Sequence, residues 1–241
     1  MADLIHILLL AMAASFIQRT TGFGFGIFIM TVLPFLMPSY GEATTLSGLL
    51  ALTTSGIVVL KMWRQISWRR LMPVLISFML VSAVSVFMLK YMDDRLLRRI
   101  LGVVLILVSV YFALFSDRIS IRPTLPAALT AGTLSGVLGG FFGMQGPPVV
   151  IYFMNSEPDR DHYMAMAQCY FLLGNLSMTA VRAMNGFLTV TVVYDYVCGI
   201  AGLLVGTWIG GAVYRLLPTK VFRYVVYGYI GISGILQFCN A

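Results

Sequence analysis

Charged side chains are scarce in this chain. Asp, Glu, Lys and Arg make up 10% of its 241 residues, against about 25% in a typical soluble domain. That is too few to cover a water-facing surface, which excludes a soluble globular enzyme and a disordered chain. Nucleic-acid binding is excluded as well. Sixteen Lys and Arg against nine Asp and Glu leave a net charge of +7, but the basic residues are spread between apolar runs and form no patch. Cysteines are few: Cys169, Cys198 and Cys239 lie far apart inside apolar runs, which excludes a disulfide framework and a cysteine metal site. The two histidines, His6 and His162, stand away from any cysteine or carboxylate cluster, so no metal and no other cofactor is expected. No nucleophile sits beside a base, and no acidic pair lies deep in an apolar run, so the chain does not read as an enzyme.

Hydrophobic residues supply 59% of the chain and the mean hydropathy is +0.91. The class this implies is an all-α polytopic membrane protein. The N-terminal Met-Ala-Asp lacks the positive region of a secretory leader, so the first apolar stretch is expected to be retained. A helix needs about 20 apolar residues to cross the hydrocarbon core. Runs 43–60, 71–89, 100–116, 163–181, 196–214 and 224–241 each suit one crossing. Stretches 4–37 and 124–156 do not. Each is too long for one crossing and too short for two, and each has a glycine-rich centre, at 18–26 and 139–148, where helix is disfavoured.

The two odd stretches head two similar halves, 1–120 and 121–241, each continuing into three ordinary runs. Phe23-Gly24 matches Phe142-Gly143 at an offset of 119, and Lys90, Arg95 and Arg98 match Arg215, Lys220 and Arg223 at 125. This reads as a duplication of about 120 residues, either parallel or inverted. The parallel arrangement divides the basic residues seven to eight. The inverted one, with each broken stretch a re-entrant pair, puts Lys61, Arg64, Arg69, Arg70, Arg118, Arg122, Arg160, Arg215, Lys220 and Arg223 on one side. Lys90, Arg95, Arg98, Arg99 and Arg182 stay on the other. Ten against five fits the positive-inside rule better. The inverted repeat is therefore favoured, with both termini outside the cytoplasm.

Unpaired backbone groups in lipid cost several kcal/mol each. Broken helices at matching places in two repeats therefore point to the substrate site of a secondary transporter. A half-helix that begins after a glycine break offers N–H groups and the positive end of its dipole, which suits an anion. The candidate binding residues are Arg19, Thr20, Thr21, Gly22, Gly24 and Gly26 at the first break and Gly140, Gly143, Gln145 and Gly146 at the second. Arg19 would grip the anion or guard its path, the alternative being an interfacial anchor. Gln168 and Asn175 are seven apart on one helix face. Ser47 and Thr54 repeat that spacing 121 residues earlier, and ordinary interhelical hydrogen bonding is the alternative for all four. Asp195 reads as interfacial, and Glu42, Glu157, Asp159 and Asp161 as loop residues. With acids this scarce in the apolar runs, uncoupled export driven by an inside-negative potential fits better than coupled import.

Gln18 followed by Thr21-Gly22-Phe23-Gly24-Phe25-Gly26 and then Leu33-Pro34 resembles the first-repeat motif of the TauE/SafE family, the sulfite-exporter-like membrane permeases. The run 139–152, beginning Gly139-Gly140-Phe141-Phe142-Gly143, resembles the second-repeat motif. The resemblance covers essentially the whole chain. It implies outward transport of sulfite, or of sulfonates such as taurine and sulfoacetate, across a bacterial inner membrane. Phe25, Ile27 and Phe28 stand where more glycine is usual, and Met144-Gln145 interrupts the second glycine run. Both changes bear on pocket size and polarity. The expected partners are a small anionic substrate, the lipid bilayer and a second copy of the chain in a homodimer. An anion channel using the same site, or a membrane accessory protein, remains the alternative.

Overall fold

A computed structural model describes residues 2–115, 122–157 and 159–213, with 231–232, 234–236 and 238–239 near the C-terminus. The regular elements are helices: α1 (Ala2–Thr21), α2 (Phe25–Ile29), α3 (Leu33–Leu36), α4 (Tyr40–Met62), α5 (Trp68–Leu89), α6 (Asp94–Phe115), α7 (Leu125–Phe142), α8 (Gly146–Ser156), α9 (Arg160–Met184) and α10 (Val190–Val213). Six of them, α1, α4, α5, α7, α9 and α10, are long and apolar enough to cross a membrane. Leu60, Leu80, Leu107, Val197 and Trp208 point outward and are more than half exposed, while Gln18, Gln168, Asn175 and Arg182 are buried. Apolar side chains outside and polar ones inside are the distribution a lipid solvent selects. The chain is a multi-pass membrane protein.

Three helix pairs build the frame. Gly202, Gly206 and Gly210 on α10 lie against the carbonyls of Leu8, Met12 and Phe16 on α1. Gly132, Gly136 and Gly140 on α7 lie against those of Val74, Phe78 and Ser82 on α5. Each is a stripe of small residues four apart, which lets two backbones approach where lipid offers no hydrophobic drive for association. Residue numbers rise together in both pairs, so α1 runs parallel to α10 and α5 to α7. The third pair, α4 and α9, is antiparallel: Arg182 reaches Thr44, Gly48 faces Thr179, and Gly56 faces Leu172.

The helix breaks follow from glycine. Helix α1 ends where Gly22 takes φ 89 and Gly24 φ 98. Helix α7 ends in an αL turn, with Gly143 at φ 68, its N–H bonded to the Gly139 carbonyl and the Met144 N–H to the Leu138 carbonyl. The segments after the breaks differ. Helix α8 is a continuous half-helix of 11 residues, with Pro147 and Pro148 in its first turn, where a missing N–H breaks no helical bond. The half-helix expected after the first break is instead two pieces of five and four residues. Pro34 lacks the N–H that would continue α2 onto the Met30 carbonyl, so the helix stops and restarts.

Some expected loop residues belong to helices. Ser39 caps α4 by accepting the Glu42 N–H at 3.2 Å, and Glu42 is buried in the first turn. Asp161 lies in the first turn of α9, which Asp159 caps. The His162 hydrogen bond holds the Asp159 carboxyl below the usual range. Asp195, expected at an interface, is 8% exposed within α10. The repeat matches at Arg215, Lys220 and Arg223, and Arg118 in the charge count, lie outside the described residues.

Candidate functional site

The two breaks meet. Gly26, in α2, lies so close to Gly143 that a side chain on it would run into the Gly143 carbonyl. Between them is a cavity of about 20 Å³, room for a single water. Its first-half wall is Gln18, Gly24, Phe25, Gly26, Ile27 and Ala51, and its second-half wall is Gly143, Met144, Gln145, Gly146, Phe171 and Asn175.

One side of this junction is tied by side-chain amides. Gln18 Nε2 donates to Gln168 Oε1 at 2.9 Å and to Ser55 Oγ at 3.1 Å, and Gln168 Nε2 donates to the Gly22 carbonyl at 2.7 Å. Thr21 closes the turn locally, with Oγ1 2.7 Å from the Phe23 carbonyl. The other side is left with polar atoms to spare. Gln145 Oε1 and Thr54 Oγ1 are buried without a hydrogen-bond partner. Arg182 is fully buried in the last turn of α9. Its guanidinium donates to the carbonyls of Thr44 at 3.0 Å, Gly139 at 3.0 Å and Gly140 at 3.3 Å. The last two belong to the C-terminal end of α7, where a cation is favoured.

Of the expected binding residues, Gly24, Gly26, Gly143, Gln145, Gly146 and Asn175 form the cavity wall. Ser47 stands directly behind Gly143, Thr54 is buried in α4, and Gly22 with Gln168 forms the layer outside Gln18. Three are elsewhere. Thr20 is bonded to its own helix, 2.9 Å from the Phe16 carbonyl. Gly140 packs on Ser85 of α5. Arg19 lines a separate recess of about 690 Å³ with Met62, Gln65, Asp161 and Met164, and shares a neighbouring one of about 550 Å³ with Lys61. Gln18 and Arg19 are adjacent on α1, so the helical twist sends them to different faces.

The sequence reading left out Ser55, Phe171 and Arg182 as site residues and gave Gln18 no role beyond its motif. Nothing in one dimension links Gln18 to Gln168. Arg182 had a signal: it follows Lys61 by 121 residues, the spacing of Gly22 and Gly143, with no acid near it in sequence. The last turn of a spanning helix is also where basic residues normally snorkel, and the letters alone do not separate the two.

The family described as Sulfite exporter TauE/SafE matches residues 7–236. Among curated proteins, the probable sulfite/organosulfonate exporter TauE of Cupriavidus necator is 24% identical over 230 residues, covering 93% of this chain and 90% of that protein. No solved structure matches the chain. The family match runs from the second turn of α1 to residue 236 and takes in both breaks: the chain belongs to the sulfite exporter TauE/SafE family.

Proposed function

We propose that this protein exports a small sulfur-containing anion, such as sulfite or an organosulfonate, and binds it where the two helix breaks meet. The observation that carries this reading is the junction itself: two broken helices from opposite halves enclose one buried cavity whose wall holds amides and glycine backbone and no acid. Glycine lets an anion approach the backbone closely. Helix α8 aims its N-terminus at the cavity through Gln145 and Gly146. The relative's name supplies the sulfur chemistry. Transport, rather than catalysis, is the expected activity.

The two halves form an inverted duplication in this reading. Helices α1 and α4 point one way and α5 the other, while α7 and α9 point opposite to α1, and α10 points with it. The elements of the second half follow those of the first at nearly constant spacing: α1 and α7 end at Thr21 and Phe142, and α4 and α9 begin at Tyr40 and Arg160. Positive-inside counting then puts the Lys61 end in the cytoplasm and both termini in the periplasm of an inner membrane. An inside-negative potential supplies about 2.3 kcal/mol per charge per 100 mV for expelling an anion.

Cavity size favours a carrier over a channel. A space for one water cannot pass an oxyanion without rearrangement, so each transport event requires the breaks to move. Flux through proteoliposomes containing the purified protein tests this, with sulfite under an imposed potential and taurine, sulfoacetate and thiosulfate as competitors. Saturable, potential-driven flux that the competitors reduce is the expected result. Flux that never saturates would make the protein a channel, and folded protein with no flux of any of these anions would end the sulfur-anion reading.

A further inference from the structure

Arg182 differs from the other basic side chains described. Neither the ion pair of Arg70 with Glu157 nor that of His162 with Asp159 involves it. Its guanidinium is satisfied only by three backbone carbonyls, and its Nε is buried without a partner. A buried charge without a counter-ion is costly, and inside a membrane protein such a residue marks an ion path.

The groups beside it close in on a position of α4 that has no side chain. A Cβ on Gly48 would stand 3.2 Å from Arg182 Nη1, 3.2 Å from Thr179 Oγ1 and 3.8 Å from Asn175 Oδ1. Three polar groups from α9 therefore converge on a notch in α4. Thr179 Oγ1 is buried and has no hydrogen-bond partner. Asn175, Thr179 and Arg182 follow at helical spacing on one face, and Asn175 is also part of the cavity wall at the breaks. The notch and the cavity thus share a side chain.

We propose that this notch is a second anion station, on the release side of the break cavity, where Arg182 and Thr179 hold the oxygens of the departing sulfite or sulfonate. The proposal rests on the export reading above. A guanidinium fork matches two oxygens of such a group, the Thr179 hydroxyl supplies a further donor, and with no side chain on Gly48 these groups have only to part around the anion. The anion would take over donors now held by the carbonyls of Gly139 and Gly140, which would loosen the end of α7 that forms the second break. Toward the opposite end of the helices Lys61 shares its recess with Arg19.

Sulfite transport by the full-length protein in proteoliposomes of uniform orientation tests this, with KM measured from each face. Arg182→Gln should raise KM about tenfold or more for sulfite applied at the face where α9 ends, and leave KM at the Lys61 face unchanged. Arg182→Lys, which keeps the charge but not the fork, should recover part of the loss. Gly48→Ala, which fills the notch and leaves the guanidinium in place, should show the same one-sided change and decides the matter if the Arg182 variants do not fold. Equal KM changes at both faces, or a fall in kcat alone, would make Arg182 a structural clamp and overturn the station. Wild-type protein without sulfite flux would overturn the export reading, and the station with it.

Discussion

The first break is filled with protein and the second is lined with what protein leaves out. At the first, Gln18, Gln168 and Ser55 bond to one another and to the Gly22 carbonyl. The positions 121 residues from Gln18 and Gln168 are Gly139 and Ser47, a bare backbone and a short hydroxyl. There the ties come from Arg182, on the far side of α7's last turn, and Gln145 Oε1 is left without a partner. Two breaks of the same layout are thus held by different chemistry. The self-satisfied break suits a fixed wall. The break with spare polar groups suits a ligand: water can relieve the unpaired Gln145 oxygen, and the same amide carries N–H groups that can donate to an anion.

The largest effect is expected where the breaks touch. In Gly26→Ala the new methyl meets the Gly143 carbonyl, which is backbone and cannot turn aside. The expected outcome is a loss of about 3 kcal/mol of stability and loss of sulfite flux. Thermal unfolding in detergent and proteoliposome flux check both. A stable, fully active Gly26→Ala protein would mean that the breaks do not meet.

Removing one glutamine from each break sharpens the contrast. Gln168→Ala strips the Gly22 carbonyl of its donor and Gln18 of an acceptor, at about 1–3 kcal/mol for each group left buried and unpaired. The melting temperature should fall clearly. Gln145→Ala removes an oxygen that has no partner, together with the amide Nε2 that can donate to an anion, and keeps the Cβ that packs against Gly139. Its melting temperature should hold or rise while KM for sulfite increases about tenfold, the worth of one hydrogen bond to a charged group. Equal destabilisation by the two substitutions would erase the distinction between the breaks.

The second break was legible in the sequence because glycine without charge inside a 33-residue apolar stretch has few other uses, and the first because a similar glycine run stands 119 residues before it. The ends of α4, α5 and α9 were legible from basic residues alone, since each lies close to the charges that bound its run. What was not legible is three-dimensional pairing. Gln18 and Gln168 are 150 residues apart and share no period. Arg182 sits in a helix's last turn, where a snorkelling charge and a sealed one look the same in a string of letters. Arg19 shows the opposite case. Its place in the motif suggested the cavity, but one residue along a helix is 100° of rotation, and that turns it away from Gln18's face.

The smallest expected effect lies at the far ends of the returning segments, where both halves use one charged side chain acting on backbone. In the first half Asp94 accepts the Tyr40 N–H at 3.0 Å, fixing the start of α4. In the second Arg70 donates to the Ser156 carbonyl at 2.9 Å and pairs with Glu157 at 3.3 Å, fixing the end of α8. The Arg70 side chain is 53% exposed and that of Glu157 3%, so water weakens the pair from one side only. Arg70→Gln should cost about 1 kcal/mol, and less in high salt, which already screens the exposed partner. Glu157→Gln in the same protein should return most of that loss, because it neutralises the carboxylate left behind. KM for sulfite should not change in either protein, since neither residue lines the cavity. A rise in KM on Arg70→Gln would mean that the end of α8 is coupled to its beginning, and that the second break is held from farther away than Arg182.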